Sequence, residues 1–169
     1  MSNIILIGFM GVGKSQVGHK LAQELKMHFV DTDDLIEKAE EMNIPEIFEK
    51  KGEPHFRDIE TKTLGTLQDY DNFVISTGGG IILRDENVKM LKQLGPLVLL
   101  WSDPDTIYER VKQESHRPLI EADKKKNISE ILRQRTPIYN KAADFTVDTS
   151  FLSIDNAVEE ILKYVKNKG

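Results

Sequence analysis

The run Ile4-Ile5-Leu6-Ile7-Gly8-Phe9-Met10-Gly11-Val12-Gly13-Lys14-Ser15 decides how this chain folds. Its first four residues read as a short strand buried on both faces, as a parallel sheet requires. Gly8 to Ser15 then fits G-x-x-x-x-G-K-[ST] in full, and Val17, Leu21, Ala22 and Leu25 continue at helical spacing. Strand, glycine-rich bend and helix N-terminus in that order bring backbone N–H groups and partial positive charge to one point, which suits a phosphate. Lys14 would neutralise the β and γ phosphates of a nucleotide, and Ser15 would offer its hydroxyl to Mg²⁺. A chance Lys-Ser after a glycine turn would lack this strand-and-helix setting.

Working outward, short apolar runs at 28–30, 73–76, 97–101 and 145–147 repeat the strand signature, each bounded by Gly, Asp, Pro or Ser. Helical patterns separate them. Asp103-Pro104 places a cap and a first-turn proline at the start of a helix reaching about residue 114. Asn127 and Glu130 read as a capping box for a helix that Pro137 disturbs. In the last helix Ala157, Val158, Ile161, Leu162 and Val165 share one face, which should dock on the sheet. Two stretches break the alternation: 33–67 carries successive helices with no strand, and 115–126 is polar and aperiodic, with Lys124-Lys125-Lys126. Insertions of that kind tend to carry function. The pattern predicts one α/β domain, its mostly parallel sheet covered by helices on both faces.

Composition narrows the function classes. The 169 residues suit one domain, and 23 Lys plus Arg against 28 Asp plus Glu leave a net charge of −5. That balance argues against a broad basic face for nucleic acid, so an anionic ligand must be held by local cations and backbone N–H groups. Without cysteine there is no disulfide framework, thiolate nucleophile or Cys-ligated zinc. His19, His28, His55 and His116 have no metal-ligand spacing. The apolar run at 4–7 is too short for a signal-peptide core, and nothing approaches ~18 continuous apolar residues. A soluble, intracellular protein with no nucleic-acid or membrane partner is expected.

Further residues point to chemistry. The string closest to the guanine signature N-K-x-D is Asn140-Lys141-Ala142-Ala143, whose Asp comes one place late at Asp144. In Asp31-Thr32-Asp33-Asp34 an extended backbone would project Asp31 and Asp33 to one side, towards the ligand crevice at the carboxyl ends of the strands. One carboxylate would then serve Mg²⁺ and the other an attacking hydroxyl. Asp34-Leu35-Ile36-Glu37 reads as a capping box for the next helix. In Phe56-Arg57-Asp58-Ile59-Glu60, Glu60 is one turn from Arg57 and would steady its guanidinium, or the two form only an exposed helical ion pair. Gly78-Gly79-Gly80 exceeds what a turn needs and would let a ligand approach the backbone closely, or else serve a strained crossover. Arg117-Pro118 and Arg135 fit anion contacts or a solvated surface equally well when taken singly.

As a set these residues resemble shikimate kinase, a P-loop family related to the nucleoside monophosphate kinases, and the likeness covers almost the whole chain. The family pattern is matched in order: Gly8 to Ser15, Asp31 and Asp33, F-R-x-x-E from Phe56 to Glu60, Gly78 to Gly80, Arg117-Pro118-Leu119, and Arg135 shortly before Tyr139. The resemblance implies a single three-layer kinase domain with a five-stranded parallel sheet in the order 2-3-1-4-5. A substrate-binding insertion would span about 33–60 and a lid about 115–126. The implied activity is ATP-dependent phosphorylation of the 3-hydroxyl of shikimate, a step of aromatic amino-acid (chorismate) biosynthesis. Asp33, Lys14 and Arg117 would be catalytic. Gly11, Val12, Gly13, Lys14, Ser15, Gln16, Arg110 and Arg117 would bind the nucleotide, with Arg110 packed on adenine. Asp33, Arg57, Gly79, Gly80 and Arg135 would bind shikimate, the two arginines clamping its carboxylate. Ser15 and Asp31 would position Mg²⁺. After the last strand, Thr149-Ser150-Phe151-Leu152 lacks the proline often found in the family's adenine loop. A gluconate or nucleoside monophosphate kinase on the same scaffold is the rival enzyme. A non-catalytic ATP-dependent module is the rival from another class.

Overall fold

The structure, a computed structural model, describes residues 2–112 and 124–168. Strand β1 (Ile4–Ile7) lies at the centre of the sheet, and all four of its apolar residues are buried. β3 (Phe73–Ser76) and β4 (Leu97–Trp101) flank it in parallel, with Ile5 level with Ile75 on one side and with Leu97 on the other. β2 (His28–Asp31) adds to β3 and β5 (Phe145–Asp148) to β4, giving the order β2-β3-β1-β4-β5. This is the α/β sheet expected.

Right-handed crossovers then set the layers. β1 connects to β2 through α1 (Lys14–Leu25), and β3 connects to β4 in the opposite direction through α5 (Asp85–Leu94), so α1 and α5 cover opposite faces. α6 (Pro104–Val111) and α7 (Lys124–Ala142) lie between β4 and β5, while α8 (Ile154–Lys168) returns to pack on α1. Its buried residues Ala157, Val158 and Ile161 are those its spacing predicts. Because the crossover direction reverses beside β1, the carboxyl ends of β1, β2 and β3 open a crevice there.

Between β2 and β3 run three helices, α2 (Thr32–Glu40), α3 (Ile44–Lys51) and α4 (Glu53–Thr66). They close over their own small core of Ile36, Ile47 and Phe56, packed with Met42, Ile44, Phe48 and Ile59. Asn43 caps α3 by accepting the Glu46 N–H at 3.0 Å.

Several local readings are corrected. β2 extends to Asp31, whose Oδ1 caps α2 by accepting the N–H groups of Asp33 at 2.8 Å and Asp34 at 3.4 Å. Asp33 therefore stands in the first helical turn rather than beside Asp31 on an extended strand. Asp34 is not the cap, and Glu37 instead accepts the Ile44 N–H at 2.8 Å. Asp103 caps α6 through Thr106 N–H at 2.8 Å as expected, but α6 ends at Val111. α7 already begins at Lys124, so the three lysines open a helix, and Asn127 and Glu130 lie inside it. Pro137 is also internal to α7. A proline there costs about 3 kcal/mol, offset by buried Ile128 and Leu132 at roughly 1.5–3 kcal/mol each. Arg117 and the expected lid as far as residue 123 lie outside the described residues, and the last three lid residues, 124–126, belong to α7.

Candidate active site

The bend after β1 is shaped by glycine. Gly13 sits at φ +97°, in left-handed backbone, and no side chain caps α1. The bend therefore lies at the end of α1 that carries partial positive charge. Lys14 folds over the bend, its Nζ donating to the carbonyls of Gly8 at 2.6 Å and Phe9 at 2.8 Å. This bend forms one wall of a cleft of about 610 Å³ that Gly11, Val12, Gly13, Lys14, Ser15, Gln16, Asp31, Asp33, Gly79 and Arg110 all line.

Beside the bend, the loop after β3 brings Thr77, Gly78 and Gly79 to the same cleft. Thr77 is anchored to β1 by donating its hydroxyl to Leu6 O at 2.8 Å, and the Gly78 N–H donates to Thr32 Oγ1 at 3.2 Å. From there the triplet passes three charged side chains in turn. A Cβ on Gly78 would stand 2.8 Å from Asp33 Oδ1, one on Gly79 3.4 Å from Arg135 Nη1, and one on Gly80 2.5 Å from Arg57 Nη1. Only the absence of a side chain at Gly80 lets the guanidinium lie against the backbone.

Both arginines are held in place. Arg57 donates to Glu60 Oε1 at 2.8 Å and to Glu53 Oε2 at 3.1 Å, and its guanidinium lies over Phe56. Glu60 is 1% exposed, so this is no surface ion pair. Burial pushes the Glu60 carboxyl above the usual carboxylate range, and Arg57 opposes that rise. Arg135 is buried and its guanidinium lies over Phe9, in the bend itself. Arg57, Gly80 and Arg135 do not line the cleft; the two guanidiniums lie against Gly80 and Gly79, of which Gly79 lines it.

At the other end, Arg110 donates to Gly11 O at 3.0 Å, Ser102 Oγ at 3.2 Å and Thr149 O at 2.7 Å. Thr149 Oγ1 donates to Val12 O at 2.9 Å, tying the segment after β5 to the bend. Composition and spacing gave no sign of Ser102, Thr149 or Thr32, because each acts through a partner distant in sequence. In the sequence Thr149 stands out only for the proline its loop lacks.

The donor set for a divalent cation is small. Ser15 Oγ lies 3.4 Å from Asp31 Oδ2, the carboxylate oxygen not used in capping α2. Among the described residues no group of three or more His, Cys, Asp or Glu could hold a metal by itself. A hydroxyl and one carboxylate oxygen beside a phosphate nest fit Mg²⁺, which draws its remaining ligands from water and phosphate.

A family model described as shikimate kinase matches residues 10–166. The shikimate kinase of Thermodesulfovibrio yellowstonii is 46% identical over 164 residues, covering 96% of this chain and 94% of that protein. The shikimate kinase of Pelotomaculum thermopropionicum is 44% identical over 167 residues, covering 98% and 96%. Among solved structures, shikimate kinase from Acinetobacter baumannii in complex with shikimate superposes with a TM-score of 0.95 at 34% identity, covering 99% of this chain and 94% of that one.

Proposed function

The chain belongs to the shikimate kinase family, and on that premise we propose that it transfers the γ-phosphoryl group of ATP to the 3-hydroxyl of shikimate, in aromatic amino-acid biosynthesis. One observation carries the reading: Asp33, Arg135 and Arg57 lie against a glycine triplet that adjoins the phosphate-suited bend, and Asp33, Gly78 and Gly79 line the same cleft as that bend. A cyclic acid fits that pairing. Arg57 and Arg135 would take its carboxylate through planar, charge-assisted hydrogen bonds, and Asp33 would face a ring hydroxyl. The N–H groups of Gly11 to Ser15, with Gln16 beside them, would hold the phosphates, and Lys14 would exchange the Gly8 and Phe9 carbonyls for phosphate oxygens. Arg110, fixed by three acceptors, would offer its flat guanidinium to adenine.

Phosphoryl transfer depends on positioning and charge compensation. Asp33 would orient the hydroxyl and accept its proton as the oxygen attacks phosphorus, with ADP leaving on the far side. Lys14 would compensate charge on the transferring group, and Arg117, outside the described residues, would join it. Ser15 and Asp31 would hold Mg²⁺, which would supply further neutralisation of phosphate charge when bound. The same reading makes the protein a cytoplasmic monomer; among the described residues no helix is long and apolar enough to cross a membrane.

A coupled assay of ADP release tests the activity. ADP should form rapidly with Mg-ATP and shikimate, and only slowly with gluconate, nucleoside monophosphates or no acceptor. Equal turnover across that panel would overturn the assignment.

A further inference from the structure

Tyr139 is 1% exposed, its ring packed in the main core, and its hydroxyl donates to the Gly79 carbonyl at 2.5 Å across 60 residues of sequence. Core packing does not call for that hydroxyl. A phenylalanine would fill the same volume without the cost of desolvating an O–H, so the group has meaning through its acceptor. The acceptor is the carbonyl that orients the peptide between Gly79 and Gly80, the segment lying between the two arginines. One turn earlier on α7 stands Arg135, whose Nη1 lies against Gly79. A single helix thus supplies both an arginine of the clamp and the bond that holds the loop against it.

We propose that Tyr139 is a positioning residue of the acid-binding half of the site: by holding the Gly79 carbonyl it keeps the glycine triplet and Arg135 in register for the substrate carboxylate. The inference rests on the reading that shikimate binds here. Burial pushes the phenol up to about 12 while Arg135 pulls it the other way, so the hydroxyl remains a donor at any working pH. Tyr139 itself does not line the cleft and acts through Gly79, beside Arg135, so its influence should fall on the acid more than on the nucleotide.

Tyr139→Phe deletes only the hydroxyl. Steady-state kinetics should show the KM for shikimate raised about 10-fold, the scale of one hydrogen bond, with the KM for ATP within about twofold. In an Arg135→Lys background the same change should raise the KM for shikimate by less than about threefold, because the two residues act through one loop. A purely structural role would lower Tm while leaving both KM values unchanged or moving them together, and either pattern overturns the proposal. Full additivity in the double variant overturns it too. Calorimetric titration of the unmodified protein with shikimate separates the two claims. No binding there sinks the substrate reading and this inference with it, whereas normal binding with an unaltered Tyr139→Phe variant sinks this inference alone.

Discussion

Two glycine-rich loops leave the carboxyl ends of neighbouring parallel strands, and they use glycine for different physical reasons. After β1, Gly11 and Gly13 adopt φ of +77° and +97°, a backbone that turns successive N–H groups towards one point. After β3, Gly80 sits at φ −99°, which any residue adopts, and Gly78 and Gly79 are not among the glycines with positive φ. What the second loop needs is room, because Asp33, Arg135 and Arg57 press against it where Cβ atoms would be. The first loop is specialised in conformation and presents backbone donors. The second is specialised in space and lets charged side chains lie against its backbone. A phosphate chain and a ring-bearing acid ask for those two kinds of surface.

The largest break removes the chemistry and leaves both loops intact. Asp33→Asn should retain ATP binding by calorimetry while kcat falls at least ~100-fold, the scale of a general base. Undiminished turnover would take Asp33 out of the proton transfer.

Next come the loops themselves, through paired alanine substitutions assayed with both substrates varied. Gly80→Ala drives a methyl into the Arg57 guanidinium and should raise the KM for shikimate about 10- to 100-fold, sparing ATP. Gly13→Ala strains left-handed backbone by about 1–2 kcal/mol and should raise the KM for ATP about 10-fold, sparing shikimate. Equal effects of both substitutions on both substrates would erase the distinction between the loops.

A smaller effect sharpens the acid-binding side. Because burial raises the Glu60 carboxyl above its ordinary 4.5, Glu60 takes up its proton at a higher pH than an exposed glutamate would. Neutral Glu60 no longer orients Arg57, so kcat/KM for shikimate should decline on the acid side while pH is still above 4.5. Glu60→Gln should lower kcat/KM throughout and flatten that acid limb; an unchanged limb would assign it to another group. Smallest of all is Phe151→Ser, at a residue 92% exposed in the loop after β5, which should shift stability by no more than about 0.5 kcal/mol in denaturant melts.

The sequence made the sheet legible because each strand is a run of apolar residues ended by a breaker, and only β2 and β5 proved one residue longer than read. The glycine-rich bend after β1 and the Asp103 cap were equally plain, since local motifs carry their own geometry. Asp31 was harder. Whether an aspartate after a strand points to a ligand or caps the coming helix depends on where the chain turns, and Asp31 divides its two oxygens between those tasks. Pro137 misled because tertiary burial of α7 outweighs a local helix penalty. The Tyr139–Gly79 and Thr149–Val12 bonds join residues 60 and 137 apart, and no periodicity carries that information. The character of the Arg57–Glu60 pair was also hidden, since its spacing is that of any exposed helical pair and only the fold places Glu60 in the interior.

The central claim is that the two loops bring one phosphoryl donor and one cyclic acid together. Phosphorus–proton correlation NMR of a mixture of protein, Mg-ATP and shikimate tests it most directly. A single new phosphate ester resonance coupled to the proton on carbon 3 of shikimate is the expected result. Phosphorus appearing only as inorganic phosphate, or as an ester at another carbon, would contradict it.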